Sequence, residues 1–173
     1  MRLVKSGHLV DDRFVRVPDD APIPSDVPVI VPAARFLAEA ADIARRTAPT
    51  GVLWPNNRKA AELVPHLDKL ALVVLVFPTF RDGRAYSQAR QLRETYGFRG
   101  ELRATGQILR DQFLFLLRSG FDALEVTKEP DVAAFTDSVR RFSVFYQPGA
   151  DGSLPIFRRR LALLHVPSAT TCD

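Results

Sequence analysis

The sequence predicts an α/β fold in which a small, mostly parallel sheet carries helices on both faces and is preceded by an N-terminal β-hairpin. Strand-like apolar segments alternate with helix-like segments of roughly ten to fifteen residues, which is the pattern of βαβ units. Residues 70–78 (LALVVLVFP) are apolar without alternation, as expected for a central strand that is covered on both faces. A length of 173 residues with 46% hydrophobic residues suits one domain with one core.

The N-terminal part of the chain predicts short extended elements and one helix. Residues 3–17 read as a hairpin whose turn falls at Ser6-Gly7 or at Asp11-Asp12. Four prolines in residues 18–28 exclude a regular helix there, and residues 27–32 (VPVIVP) follow as a short strand. The apolar spacing of residues 33–46 then predicts a helix.

The remaining elements follow as alternating strands and helices. Strands are predicted at residues 51–55, 70–78, 100–106 and 122–128. Helices are predicted at residues 56–70, 83–98, 107–120 and 130–147, with Gly97 and Gly120 as C-terminal stops and Pro130 as a favourable start. Strand order is left open, so a doubly wound, Rossmann-like sheet and a partial barrel both fit. We expect residues 1–148 to form this single domain and residues 149–173 to form a loosely ordered C-terminal extension.

Several classes of site are disfavoured by what the sequence lacks. The single cysteine, Cys172, excludes an internal disulfide and any metal site built on several thiolates. No G-x-G-x-x-G, Walker or G-x-S-x-G motif is present, so we predict no bound cofactor and no metal, and the catalytic residues, if any, stay unknown. The N-terminus is charged and the longest apolar run is short, which predicts a cytoplasmic protein without a membrane partner.

The net charge of +4 is concentrated in residues 77–112, where seven arginines and four acids give +3. This stretch contains two predicted strand-to-helix junctions, and ligands in parallel α/β folds bind beyond the carboxyl ends of strands. Free backbone N–H groups and guanidinium groups at such junctions predict a site for an anion or an acidic partner surface. A nucleic acid is a weaker expectation, because no basic and aromatic platform is present. The candidate residues are Asp82, Gly83, Arg84, Tyr86, Ser87, Arg90, Arg103, Arg110 and Asp111.

A structural role is the alternative interpretation of this charged stretch. Arginines on a helix are commonly a solvated face or members of surface ion pairs, and we favour such a role for Arg93 and Arg99. Tyr86 is either a hydrogen-bond donor of the site or a partly buried structural tyrosine.

Residues 77–123 also carry a long specific pattern: FP-x-F-x-DGR-x-YS-x-AR-x-LR, then YG-x-x-GELRA-x-G-x-x-LRDQ, then R-x-GFDA. This pattern resembles the bacterial domain-of-unknown-function family 934, whose members are described as oxidoreductase-like proteins involved in sulfite reduction. That description derives from neighbouring genes of assimilatory sulfate reduction and is therefore associational. The resemblance implies an accessory protein that acts beside sulfite reductase or another enzyme of sulfate assimilation.

A small enzyme or carrier is the alternative function that the resemblance leaves open. It would hold a sulfur oxyanion or a sulfonucleotide, with Arg84 and Arg110 as the anion ligands and with Asp82 and Asp111 orienting them. If this alternative holds, the chemistry would be related to that of oxidoreductases in sulfur assimilation.

Overall fold

The computed structural model describes residues 2–126 and 130–164. Eight strands form one sheet in the order β2-β1-β8-β7-β6-β5-β4-β3. The strands are β1 (Arg2–Lys5), β2 (His8–Val10), β3 (Val15–Arg16), β4 (Val29–Pro32), β5 (Thr50–Trp54), β6 (Leu70–Phe77), β7 (Glu101–Gly106) and β8 (Ala123–Val126). The α-helices are α1 (Ala33–Ala38), α2 (Ala40–Ile43), α3 (Arg84–Arg90), α4 (Phe113–Arg118), α5 (Pro130–Arg140) and α6 (Ile156–Leu164).

The sheet is mostly parallel and curls into a half-barrel, which confirms the predicted α/β class. Strands β3 to β8 are parallel and lie side by side in chain order. Strand β1 is antiparallel to both β8 and β2, so the N-terminal hairpin extends the sheet at one edge. Of the two arrangements that the sequence left open, the structure is therefore the partial barrel.

Strand order places the helices on one face of the sheet, and not on both. Right-handed crossovers between strands that follow each other in order always return on the same side. The main core accordingly joins Val73, Leu75 and Phe77 of β6 to buried helix residues such as Phe36 and Leu92. This one-sided arrangement brings successive strand-to-helix loops next to each other along one edge of the sheet.

The opposite, concave face of the sheet is covered by the N-terminal chain. Phe14 packs there against Ile30, Leu72 and Val74 in a separate small core. The hairpin turn lies at Ser6-Gly7, with φ of 51° and 81°, and paired positive φ values of this kind are typical of a tight β-hairpin turn. Residues 11–14, here called the strap, then cross the concave face, so β3 pairs with β4 at the far edge instead of forming a hairpin arm.

A buried ion network fixes the strap to the sheet. The side chain of Arg103 in β7 is 1% exposed, and its Nη1 and Nη2 donate to the two carboxylate oxygens of Asp12 at 2.6 and 3.2 Å. The same guanidinium group contacts Glu101 at 3.0 Å and Glu125 at 3.3 Å. Burial acts to lower the pKa of Arg103, but the hydrogen bond and charge of Asp12 and the charge of Glu101 outweigh it and raise the pKa.

The predicted helices are shorter or less regular in the structure, and two of them have a local reason for the difference. Residues Ala60–His66 form a 3₁₀ helix that contains Pro65, which lacks the N–H that a regular helix needs. Helix α3 continues as a π-helical turn at Gln91–Thr95 and stops at Gly97, which has φ of 66°. Helix α5 ends at Arg140, not at residue 147.

The chain after α5 is attached to the end of α4 by Arg118. Its Nη1 donates to Asp151 at 2.7 and 2.8 Å and to Ser153 Oγ at 3.0 Å, and its guanidinium carbon lies 4.1 Å from the ring centroid of Phe145. The backbone N–H of Ala150 donates to Arg118 O at 2.9 Å. Helix α6, which the sequence analysis did not predict, follows, and Arg158, Arg159 and Arg160 are exposed as expected.

Some predictions fall on residues that the structure does not describe. These are the last two residues of the strand predicted at 122–128, and the C-terminal residues 165–173 with Cys172. Among the helices of the described residues, none has both the length and the apolar character needed to cross a membrane.

We predict that Arg103→Met destabilises the fold by about 3–5 kcal/mol, because the substitution removes the buried cation to which Asp12, Glu101 and Glu125 all bond. Urea unfolding measures the difference. The matched control is Arg90→Met, which removes an exposed pair with Glu94 at 3.1 Å and should change stability by no more than about 0.5 kcal/mol. Equal effects of the two substitutions would contradict the structural role of the network.

Candidate functional site

The carboxyl ends of β5, β6 and β7 present three adjacent loops, and each loop carries at least one arginine. We call this surface, residues 55–58, 78–84 and 107–111, the carboxyl edge. Arg58 follows β5, Arg81 and Arg84 follow β6, and Arg110 follows β7. In barrels built from parallel strands, ligand sites are formed by these loops.

Gln112 joins two loops of the carboxyl edge. Its Oε1 accepts from the backbone N–H of Leu109 at 3.0 Å, and its Nε2 donates to the carbonyl oxygen of Phe80 at 3.0 Å. A backbone bond from Gln107 N to Phe77 O at 2.8 Å supports the same contact. Because of these bonds, the tips of the two loops lie together. Each tip carries an exposed apolar side chain, Phe80 at 41% and Leu109 at 43% exposure.

An aspartate orients Arg84 at the start of α3. The Nη2 and Nε of Arg84 donate to the Asp82 carboxylate at 2.6 and 2.9 Å, and its backbone N–H donates to Oδ1 at 3.3 Å. The side-chain hydrogen bond from Arg84 is the main reason that the pKa of Asp82 lies well below its usual range. The carboxylate therefore stays ionised and fixes the guanidinium group of Arg84, whose side chain remains 60% exposed.

Tyr86 lies one turn into α3, between the two helices that start at the carboxyl edge. Its ring contacts Phe77, Phe115 and Phe121 at centroid distances of 5.0, 4.7 and 6.5 Å. Burial, with a smaller effect from the charge of Asp111, raises the pKa of Tyr86 to about 12. The phenol is therefore protonated at neutral pH, and its oxygen is buried without a hydrogen-bond partner among the described residues.

Other buried polar atoms without partners lie in the same region. Within the described part of the chain they are Trp54 Nε1, Asn56 Nδ2 and Gln88 Oε1. Gln88 reaches the loop after β5, where its Nε2 donates to the carbonyl oxygens of Pro55 at 3.1 Å and Arg58 at 2.7 Å. Unpaired buried polar atoms destabilise a fold unless water or a ligand bonds to them. Their concentration here distinguishes the carboxyl edge from the rest of the described surface.

The structure brings most of the predicted site residues together. Five of them lie at the start of α3 and two on the neighbouring loop: Asp82, Gly83, Arg84, Tyr86, Ser87, Arg110 and Asp111. Ser87 is exposed, and Arg90 lies farther along α3 in an exposed ion pair with Glu94. Arg103 lies elsewhere, on the concave face, where its guanidinium group binds the strap and neighbouring strands.

Arg93 has the structural role expected of it. It pairs with Asp122 and donates to the carbonyl oxygens of Phe98, Gly100 and Gly120 at 2.8, 2.9 and 3.0 Å. These bonds attach the π-helical turn after α3 to the loops that precede β7 and β8.

Sequence reasoning missed several residues of this edge. Asn56 and Arg58 directly follow β5, so their place after a strand was a usable signal. Phe80, Leu109 and Gln112 gave no such signal, because only the contact between the two loops makes them a common surface. Within residues 2–126 and 130–164, no group of three histidine, cysteine or acidic side chains is placed to hold a metal ion.

A family comparison identifies the family to which the chain belongs. The model of a bacterial protein family of unknown function, DUF934, matches residues 51–157, which is more than half of the chain and includes all three loops. The chain belongs to this family. No curated protein and no solved structure matches it.

We predict that a titration of tyrosinate absorbance contains one step near pH 12 that belongs to Tyr86. Because the folded-state pKa lies above the unfolded value of about 10, the stability from the protonated phenol is present below pH 10 and is lost as the pH rises through 12. Tyr86→Phe should remove the step, whereas Tyr146→Phe, an exposed position, should retain it. A step that survives in Tyr86→Phe would contradict the assignment.

Proposed function

We propose that this family member is an accessory protein of assimilatory sulfate and sulfite reduction that docks, through its carboxyl edge, on an acidic surface of sulfite reductase or of another enzyme of sulfate assimilation. The main observation in support of docking is an apolar pair among exposed arginines. The exposed side chains of Phe80 and Leu109 lie on two loop tips that the hydrogen bonds of Gln112 hold together. The pathway comes from the family resemblance.

The composition of the carboxyl edge supports a protein partner. Aromatic residues and arginine are enriched at the centres of protein interfaces, where a few buried anchors supply most of the binding energy. Phe80 fits the anchor role, because its ring protrudes and the guanidinium carbon of Arg81 lies 5.4 Å from the ring centroid. The hydrogen bonds of Gln112 hold this surface in place before a partner binds, which lowers the entropic cost of association.

The charge of the carboxyl edge supports an acidic partner. Arg81, Arg84 and Arg110 are exposed around the apolar pair. Opposite charges at the rim of an interface mainly accelerate association and select the partner, and both effects weaken as salt rises.

A small anion is the second candidate ligand. Two buried groups without a hydrogen-bond partner among the described residues favour it, the amide nitrogen of Asn56, which lies near Asp82, and the hydroxyl of Tyr86, which lies near Asp111. A sulfur oxyanion or a sulfonucleotide would accept from such donors, with Arg84 and Arg110 supplying positive charge. In this case the protein is a small enzyme or carrier.

For the docking proposal, we predict that Phe80→Ala weakens binding to the sulfite reductase of the same organism by about 1–2 kcal/mol, roughly five- to thirtyfold. Arg81→Glu should slow association and reduce its dependence on salt. Surface plasmon resonance at several salt concentrations measures both effects. Arg45→Glu is the matched control, since Arg45 is an exposed arginine beside Arg46, which contacts the first residue of β5 at the opposite end of the sheet. No binding by the unsubstituted protein would reject this partner.

For the anion candidate, we predict that sulfate, sulfite or adenylyl sulfate raises the melting temperature. A ligand at a hundred times its dissociation constant adds about 2.7 kcal/mol of stability. Arg84→Ala should abolish the rise, whereas Arg45→Ala, which also removes an arginine paired with a nearby aspartate, should retain it. A rise that is equal in both variants would place the anion elsewhere.

A further inference from the structure

A second surface of the molecule lies on the outer side of the helix layer and is strongly aromatic. We call the exposed or half-buried residues Phe115, Phe142, Phe145, Tyr146, Ile156 and Phe157 the aromatic surface. Tyr146 is 79% exposed and Phe115 is 58% exposed. Soluble monomers rarely expose a large continuous apolar patch unless it binds a partner.

These side chains are contiguous. The rings of Phe142 and Phe145 have centroids 6.4 Å apart, and the backbone N–H of Ile156 donates to Phe145 O at 2.9 Å. Phe115, Phe145 and Tyr146 line one open cavity of about 520 Å³ between α3, α4 and the chain after α5. This volume lies within the usual range of binding pockets, so the cavity has room for a large side chain of a partner.

The aromatic surface is held in place by Arg118. The guanidinium group of Arg118 packs on the ring of Phe145 and bonds to Asp151, Ser153 and the carbonyl oxygen of Gln147. A Cβ atom at Gly149 would lie 2.7 Å from the guanidinium carbon, so a larger residue there would displace the guanidinium group from this position. These bonds of Arg118 fix the backbone that carries the exposed rings. The loss of conformational entropy when a partner binds is therefore small.

The segment that carries most of the aromatic surface is mainly positive. Residues 140–160 contain five arginines and one acid, a net charge of +4, and the acid is Asp151, which pairs with Arg118. Arg141 precedes Phe142, and three exposed arginines follow Phe157. The aromatic residues are thus bounded by exposed cations at both ends of the segment.

We propose that the aromatic surface binds an acidic and apolar segment of another protein. In this complex an aromatic or aliphatic side chain of the partner enters the 520 Å³ cavity, and its carboxylates meet the flanking arginines. A second copy of this chain fits poorly, because a symmetric contact would bring the arginine clusters together. A lipid surface also fits poorly, since the centre of the patch is a cavity and not a protruding apolar face.

The aromatic surface adjoins the carboxyl edge, since Phe115 contacts the ring of Tyr86 at a centroid distance of 4.7 Å and Phe142 lines a cavity with Arg110 and Asp111, but its proposed partner does not depend on the function proposed for that edge. Helix α4 begins next to Gln112 at the carboxyl edge and ends at Arg118, which binds the segment carrying Phe145 and Tyr146.

The test is a selection of random peptides on phage with the full-length chain as bait. We expect the enriched peptides to combine aspartate or glutamate with tryptophan, phenylalanine or leucine, and we expect their affinity, measured by fluorescence polarisation, to fall with salt. The double variant Phe115→Ser with Tyr146→Ser should weaken the best peptide by about tenfold or more. The matched control Leu9→Ser, at an exposed position on β2, should bind as the unsubstituted chain does. Melting temperatures verify that each variant is folded.

Several outcomes overturn the proposal. A selection that yields no peptide would contradict it, and so would selected peptides that lack acidic residues. Peptide binding that is lost in Phe80→Ala but retained in the double variant would also contradict it. Binding to vesicles of phosphatidylglycerol that disappears in the double variant would identify a lipid surface instead. Concentration-dependent dimerisation that disappears in the same variant would identify a second copy. Because Phe80 lies on the carboxyl edge, failure here is distinct from failure of the docking proposal.

Discussion

The buried contact between Arg103 and the strap determines the form of the whole sheet. Six parallel strands in chain order leave a concave face that further strands would cover in a closed barrel. In this chain Phe14 fills that face, while Asp12 pairs with Arg103. The network adds Glu125, which accepts from Thr105 Oγ1 at 2.6 Å and pairs with Arg16 at 2.5 Å, so the edge strand β3 is tied to the same cluster of charges as β7 and β8. An isolated buried charge would be strongly destabilising, and its bonds to several carboxylates offset that cost.

Because the helices pack on one face of the sheet, the loops that carry the candidate binding residues lie next to each other. In a doubly wound sheet, the helices of the two halves lie on opposite faces, and ligands bind where the strand order reverses. This sheet has no reversal between β3 and β8, so the loops after β5, β6 and β7 lie next to each other along one edge. Because these loops are adjacent, the side chain of Gln112 can donate a hydrogen bond to the carbonyl oxygen of Phe80. This bond holds the tips of two loops together as one surface.

The α/β class could be predicted because strands and helices differ in the spacing of their apolar residues. This spacing can be read from short stretches of sequence. Strand order is not local, and the pairing of Asp12 with Arg103 spans 91 residues, so Arg103 looked like part of a charged loop region. The alternation in β7 did contain a clue, since Leu102 and Ala104 face the main core and Arg103 therefore faces the other side. Helix α6 escaped prediction because three consecutive arginines, residues 158–160, interrupt its apolar spacing. The start of α3 was predictable because Asp82-Gly83 directly follows the strongest strand of the chain.

The pairing of β1 with β8 also constrains how the protein folds during synthesis. Leu3 and Val4 lie opposite Glu125 and Leu124, so the first strand of the sheet in chain order pairs with the last strand of the sheet. Contacts with such large sequence separation slow folding, because a long loop must close before they form. Until β8 has emerged, the N-terminal hairpin lacks its final neighbour, and the growing sheet exposes unpaired edges that favour association with other chains. Completion of this sheet therefore requires both ends of the domain, which couples the two ends into one cooperative unit.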